Sequence, residues 1–211
     1  MGQKVNPLGF RLGIKNFWQS IWFAKKKDYP QKLLEDLKIR HLLFEKLKLA
    51  GIAGVEIERL INKMNITIHV SRPGIVIGRG GTGLEEIKKM IIPLVSLPQP
   101  DKNIQIKVME VPNPDLSAVL VADRIAQEIE RRLPHRRVVK KAIDKVMSAG
   151  AKGIKVILSG RIAGAEIARR ETFFEGKIPL STLRSNIDFA KSAALTRSGY
   201  VGVKVWIYKG D

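Results

Sequence analysis

Two stretches of this sequence place residue types at spacings that could do chemistry, and in both the chemistry is the grasp of phosphate. The first covers residues 72–95, RPGIVIGRGGTGLEEIKKMIIPLV. Pro73 suits a first helical turn, where a fixed φ is already correct and the missing N–H has no partner to lose. A short apolar run then meets Gly78, Arg79, Gly80 and Gly81. Beyond them Leu84, Ile87, Met90, Ile91, Leu94 and Val95 recur at spacings of three and four, the stripe of an amphipathic helix. Without Cβ atoms at Gly78 and Gly81 the backbone can turn sharply and let another backbone approach. Its N–H groups then point outward beside a helix N-terminus, which favours an anion.

The second stretch is residues 135–150, HRRVVKKAIDKVMSAG. At about 100° per residue, Val138, Val139, Ala142, Ile143, Val146 and Met147 fall on one half of a helix. Arg136, Arg137, Lys140, Lys141 and Lys145 fall on the other, interrupted only by Asp144. One half docks to a core and the other presents cations. Such faces often serve solubility alone, but five cations against one acid on a strongly basic chain point to phosphate. Smaller basic sets accompany it. Arg161, Arg169 and Arg170 sit in the Gly- and Arg-rich run SGRIAGAEIARRE, and Gln3, Lys4 and Arg11 in the N-terminal run MGQKVNPLGFRLGIKN.

The glycine turn also spells GxGxxG with Gly78, Gly80 and Gly83. A dinucleotide site needs a buried strand immediately before that motif and an acidic residue about 20 positions later, at the end of the next strand. Pro73 and Gly74 interrupt the preceding run, and Asp101 precedes the next apolar run instead of ending it. A nicotinamide-dependent enzyme is therefore the remote alternative. A plain helix-helix turn is the bland one.

Composition narrows the partner. The chain has 211 residues, 45% of them hydrophobic, so it can bury one large core or two small ones. Its 38 Lys and Arg against 20 Asp and Glu give a net charge of +18. Such an excess opposes compaction unless a polyanion absorbs it, and nucleic acid releases counterions when it does so. No apolar run reaches membrane-spanning length and no basic helix carries a wide Trp, Phe and Leu face, so no membrane partner is expected. The absence of cysteine excludes disulfides, iron-sulfur clusters and thiolate zinc sites, and His41, His69 and His135 are too scattered for a metal site. The N-terminus lacks a signal h-region, and Asn6 stands where myristoylation wants Ser or Thr. No cofactor and no small-molecule substrate are expected.

The elements that must position these residues follow in chain order. Residues 1–16 lack any period and are expected to form an extended basic arm that orders on a partner. Trp18, Trp22 and Phe23 could stack on bases or anchor that arm. A helix is expected from Asp28 to Gly51, with Leu33, Leu34, Leu37, Phe44 and Leu47 turned inward. Val55 and Ile57, then Met64, Ile66, Ile68 and Val70, alternate as two strands around a turn at Asn62 and Lys63. After the glycine-turn helix pair, Ile104, Ile106 and Val108 alternate as a third. Pro112 and Pro114 mark a linker. Beyond it Val119, Ala122, Ala126, Ile129 and Leu133 predict a helix, with Pro134 either ending it or restarting the next, before the basic helix and an antiparallel sheet. Its strands centre on Ile154–Val156–Leu158, residues 169–174, residues 187–190 and Val201–Val203–Val205–Ile207, with Lys204, Trp206 and Tyr208 on the last strand's other face.

GxxG before an amphipathic helix, in the order helix, strand, strand, helix, helix, strand, resembles the type II KH domain of RNA-binding proteins, whose GxxG loop clamps a short single strand. With MGQKVNPLGFRLGI, RPGIVIGRGG, LVADRIAQEIERR, RRVVKKA, AKGIKV, GKIPLSTLRSNIDFA and GVKVWIYKG added, nearly the whole chain resembles the bacterial-type family of small-subunit ribosomal protein three.

The resemblance implies an α+β protein. An arm (1–16) and a KH domain (17–111) precede a C-terminal domain (112–211) of two helices and a four-stranded antiparallel sheet. It also implies a non-enzymatic constituent of the 30S head, in cytoplasmic or plastid ribosomes, that binds 16S rRNA and helps form the entrance of the mRNA channel. Arg136, Arg137 and Lys140 match the family's residues that meet mRNA and assist its unwinding. The ribosome drives that step, and this chain has no GxxxxGK[ST] motif. Further RNA contacts are expected from Lys141, Lys145, the loop residues Gly78, Arg79, Gly80 and Gly81, and Gln3, Lys4, Arg11, Arg161, Arg169 and Arg170. Neighbouring proteins would be families ten and fourteen in the head and four and five at the channel. Two departures stand out: relatives usually carry two basic residues where this chain has Arg79 and Gly80, and Gly83 is expected to loosen the next helix start. Many relatives also continue into a basic tail beyond the position of Asp211. The alternative from another class is a free KH regulator of particular RNAs.

Overall fold

A computed structural model describes residues 4–96 and 99–210. They form two compact units: Trp18–Pro112, and Asn113 onward together with the described stretch up to Phe17. The elements run α1 (Pro7–Phe10), β1 (Ser20–Ile21), α2 (Tyr29–Lys46), β2 (Ile52–Arg59), β3 (Met64–Val70), α3 (Pro73–Ile77), α4 (Thr82–Ile91), α5 (Pro100–Asn103) and β4 (Ile104–Glu110). After the proline linker come α6 (Ala118–Glu130), α7 (His135–Ser148), β5 (Gly153–Gly160), β6 (Arg169–Gly176), β7 (Asn186–Thr196) and β8 (Gly199–Gly210).

In the first unit the strands lie in the order β1-β2-β3-β4. β2 and β3 form an antiparallel hairpin pairing Ile57 with Ile66, while β4 runs parallel to β3 with Met64 opposite Ile104. Parallel neighbours need a crossover, and α3 with α4 supplies it. Strict alternation on β3 buries Met64, Ile66, Ile68 and Val70 completely, against Ile39 and Leu43 of α2, Val76 of α3 and Ile87 and Ile91 of α4. This is the α-β-β-α-α-β order expected of a type II KH domain.

The inward face of α2 differs from expectation. Leu33, Leu34, Leu37 and Phe44 are exposed, while Glu35 and Asp36 are buried beside Ile39 and Leu43. Arg59 of β2 explains the inversion. Its Nη1 lies 2.7 Å from Glu35 Oε2 and its Nη2 2.5 Å from Asp36 Oδ1. Trp22 Nε1 donates to the other Asp36 oxygen at 2.7 Å. Buried carboxylates need such partners, and hydrophobic period alone cannot reveal an arginine arriving from a distant strand. Trp22 is thereby used structurally, whereas Trp18 and Phe23 remain exposed.

The second unit has strand order β6-β5-β8-β7, every neighbouring pair antiparallel. α6 and α7 cover one face. There Val121, Ile125, Val139 and Ile143 meet Ile154, Val156 and Leu158 of β5 and Val201, Val203, Val205 and Ile207 of β8. The described N-terminal stretch belongs to this unit and is not an extended arm. Asn6 caps α1 by accepting from Leu8 N at 3.0 Å, Pro7 is buried, and Leu8 packs against the cluster of Ile187, Phe189, Trp206 and Tyr208 on the sheet's other face.

Candidate nucleic-acid interface

The amphipathic reading of residues 135–148 is realised in α7. Val138, Val139, Ala142, Ile143 and Val146 are buried, while Arg136, Arg137, Lys140, Lys141 and Lys145 are all exposed. The apolar half fixes the helix against β5 and α6, so the cations are presented by a rigid rod. Arg136 and Arg137 occupy the first turn, which holds no acid. A helix N-terminus already carries partial positive charge, so cations there work against the helix and in favour of an incoming anion. Lys141 and Lys145 border a cleft shared with Arg124 and Glu128 of α6.

One carboxylate steadies that end. His135 Nε2 donates to Glu171 Oε2 at 2.9 Å, Arg169 Nε donates to Glu171 Oε1 at 2.9 Å, and Arg136 Nε stands 4.0 Å from Oε2 with its side chain 75% exposed. Burial opposes ionisation of Glu171, but the hydrogen bond and charge of His135 and then the charge and hydrogen bond of Arg169 outweigh it. Its pKa therefore lies below the ordinary glutamate value. Arg169 is thus engaged with Glu171, and Arg161 donates through Nε to Ala165 O at 2.8 Å from an exposed loop.

In the first unit the glycine turn separates into two jobs. Gly78, Gly80 and Gly81 have φ of +69°, +63° and +86°, the left-handed region open to glycine. A Cβ on Gly80 or Gly81 would meet open space; Gly80 is exposed next to exposed Arg79, and Gly81 is half-buried. A Cβ on Gly78 would stand 3.0 Å from Gly83 N, and one on Gly83 would stand 2.5 Å from Val76 O. Gly83 therefore lets α4 cross close to α3, and far from loosening the helix start it locks it. Residues 73–77 are helical where a dinucleotide site requires a strand, which removes the GxGxxG reading.

The structure overturns one expected contact outright. Arg11 is completely buried, and its guanidinium donates to five carbonyls: Ser185 O at 2.9 Å, Pro7 O at 3.2 Å, Pro179 O at 3.3 Å, Leu180 O at 3.0 Å and Thr182 O at 2.8 Å. Burial lowers its pKa from the usual arginine value. A buried side chain whose three guanidinium nitrogens are all engaged by the fold is not available to RNA. Gln3 lies outside the described residues. Lys4 and Arg170 come together at a groove on the sheet face opposite α6 and α7. Lys155, Lys191 and Lys204 line it too, and sequence reasoning passed over all three as contacts. Their one signal was the absence of acids at alternate positions of several strands.

Among the described residues no helix is long and apolar enough to cross a membrane, and no group of three or more His, Cys, Asp or Glu could hold a metal.

Comparison with known proteins accords with this architecture. A family model described as KH domain matches residues 38–116, and one described as Ribosomal protein S3, C-terminal domain, matches residues 125–207. Proteins named small ribosomal subunit protein uS3 align over all of this chain: that of Persephonella marina is 53% identical over 91% of its own length, that of Coprothermobacter proteolyticus 48% over 89%, and that of Dictyoglomus turgidum 50% over 84%. Identity at that level along both domains leaves no other assignment, and the chain belongs to the small ribosomal subunit protein uS3 family.

Proposed function

We propose that this protein is a structural, RNA-binding constituent of the small ribosomal subunit, working in the cytoplasm within the ribosome. It holds 16S rRNA in the head and offers α7 to mRNA at the entrance of the channel. Families ten and fourteen are its neighbours in the head, and families four and five its neighbours around the channel. The observation that carries this reading is the bare cationic face of α7, with Arg136 and Arg137 in a first turn that disfavours them. A structured message meeting Arg136, Arg137 and Lys140 has its backbone held by charge while the translocating ribosome supplies the work. The chain itself carries out no chemical step. The bare glycine loop, with Arg79 beside it, is a further phosphate contact.

The test replaces Arg136, Arg137 and Lys140 together by glutamine. Sedimentation of the variant with small subunits is expected to be normal, and translation through a stable mRNA hairpin slower or less processive. Unaltered passage through the hairpin would remove the α7 assignment. A wild-type chain that stayed at the top of the gradient would remove the ribosomal one.

A further inference from the structure

The outward positions of the four C-terminal strands read Gly153, Lys155, Ile157 and Ser159 on β5, Arg170, Thr172 and Phe174 on β6, Ile187, Phe189, Lys191, Ala193 and Leu195 on β7, and Tyr200, Gly202, Lys204, Trp206 and Tyr208 on β8. None is acidic. The strand order β6-β5-β8-β7 gathers Lys155, Arg170, Lys191 and Lys204 onto one surface, and Lys4 from the N-terminal stretch joins them along a groove of ≈ 1040 Å³. Lys191 and Lys204 are direct partners across β7 and β8. Like charges placed opposite each other destabilise a sheet pair, and here no outward carboxylate relieves them. Local rules broken without a compensating partner inside the fold mark a place where a ligand supplies the compensation.

We infer that this groove is a second RNA site, on the face of the domain opposite α7, that takes a single sugar-phosphate strand. The inference rests on the RNA-binding reading above and gives it a specific surface. The ligand is a polyanion because Lys4, Lys155, Arg170, Lys191 and Lys204 line the groove beside Arg11, whose guanidinium is held by backbone carbonyls, and no carboxylate does. It is a strand with bases because the walls are also aromatic. Lys155 Nζ sits 6.0 Å from the Trp206 ring centre and Lys191 Nζ 5.9 Å from that of Phe189, while Phe10, 43% exposed, offers a ring on which a base can stack. With rRNA held on the sheet, α7 on the other side is left free for mRNA.

The test measures binding of a uridine oligomer carrying 4-thiouridine to the full chain over a range of salt concentrations. The variant replaces Lys155, Lys191 and Lys204 by glutamine. Three lost contacts with a single strand should flatten the slope of log K against log salt by about 2. Photo-crosslinks should fall in β5, β7, β8 or the N-terminal stretch of the wild type and be depleted there in the variant. Lys204→Gln alone, flattening the slope by about 0.7, serves if the triple variant does not fold. An unchanged slope with crosslinks elsewhere overturns the groove. Loss of polyglutamate binding with RNA binding intact also overturns it, since the groove would then serve an acidic protein. The Arg136, Arg137 and Lys140 variant, measured in parallel, reports on α7 independently, so either site can fail without the other.

Discussion

Arg59 Nη2 rests 2.5 Å from Asp36 Oδ1 while its Nη1 reaches Glu35 at 2.7 Å, so one arginine pairs with two buried carboxylates on adjacent residues of α2. Removing it deprives both of their ion pair. Arg59→Leu is expected to destabilise the first unit by about 3–5 kcal/mol. Combining it with Glu35→Gln and Asp36→Asn should recover a large part of that loss, because the uncompensated charge is then gone. Urea unfolding of the four combinations checks this; equal destabilisation with and without the carboxylates would refute it.

The glycine turn predicts two unequal substitutions. Gly80→Ala meets open space and suffers only left-handed strain, about 1 kcal/mol. Gly83→Ala drives a methyl group to 2.5 Å from Val76 O and must push α3 and α4 apart, an overpacking cost of about 1–3 kcal/mol. Thermal unfolding should rank Gly83→Ala as the more harmful, and the reverse order would contradict the close crossing.

Cations in the first turn of α7 are poorly placed for the helix. Arg136→Gln and Arg137→Gln should therefore leave the unfolding free energy unchanged or raise it slightly, each by about a few tenths of a kcal/mol, read in urea unfolding. A clear fall in stability would mean that these side chains serve packing instead of presentation to solvent.

Glu171 gives a pH dependence of definite sign. Its folded pKa is lowered, so its contribution is present above the ordinary value of 4.5 and disappears as pH falls through the folded value. Wild-type protein should exceed Glu171→Gln in urea midpoint at pH 6, and the two should converge as the solution is acidified below pH 4.5. A constant gap across that window would exclude the linkage.

Arg11→Ala removes the donor from five carbonyls at once. At about 1–3 kcal/mol for each acceptor left dry, even partial hydration leaves a loss of several kcal/mol in the second unit. Lysine at this position should rescue little, since one ammonium has three donors and no planar fork. Amide exchange near Ser185 would register the change.

The strands were legible because period-two alternation survives translation into pleats: Met64, Ile66, Ile68 and Val70 are all at 0% exposure, as are Ile154, Val156 and Leu158. α7 was legible for the same reason at helical period. Charged residues inside the fold were not. Asp36 and Arg11 look like surface in a sequence, and only their partners, 23 and 174 positions away, make them interior. The groove was hidden for a topological reason. Lys191 and Lys204 face each other across the β7–β8 hairpin, and Lys155, much earlier in the chain, joins them only because β8 also pairs with β5.

The bond from Arg11 to Ser185 also orders events in time. At roughly 5–20 residues per second, a nascent chain holds this arginine for about 10–35 s before Ser185 has been synthesised. The opening residues must wait, solvated and unspent, while an entire intervening domain is made. The last-born half then reaches back to the first-born end to finish its own fold.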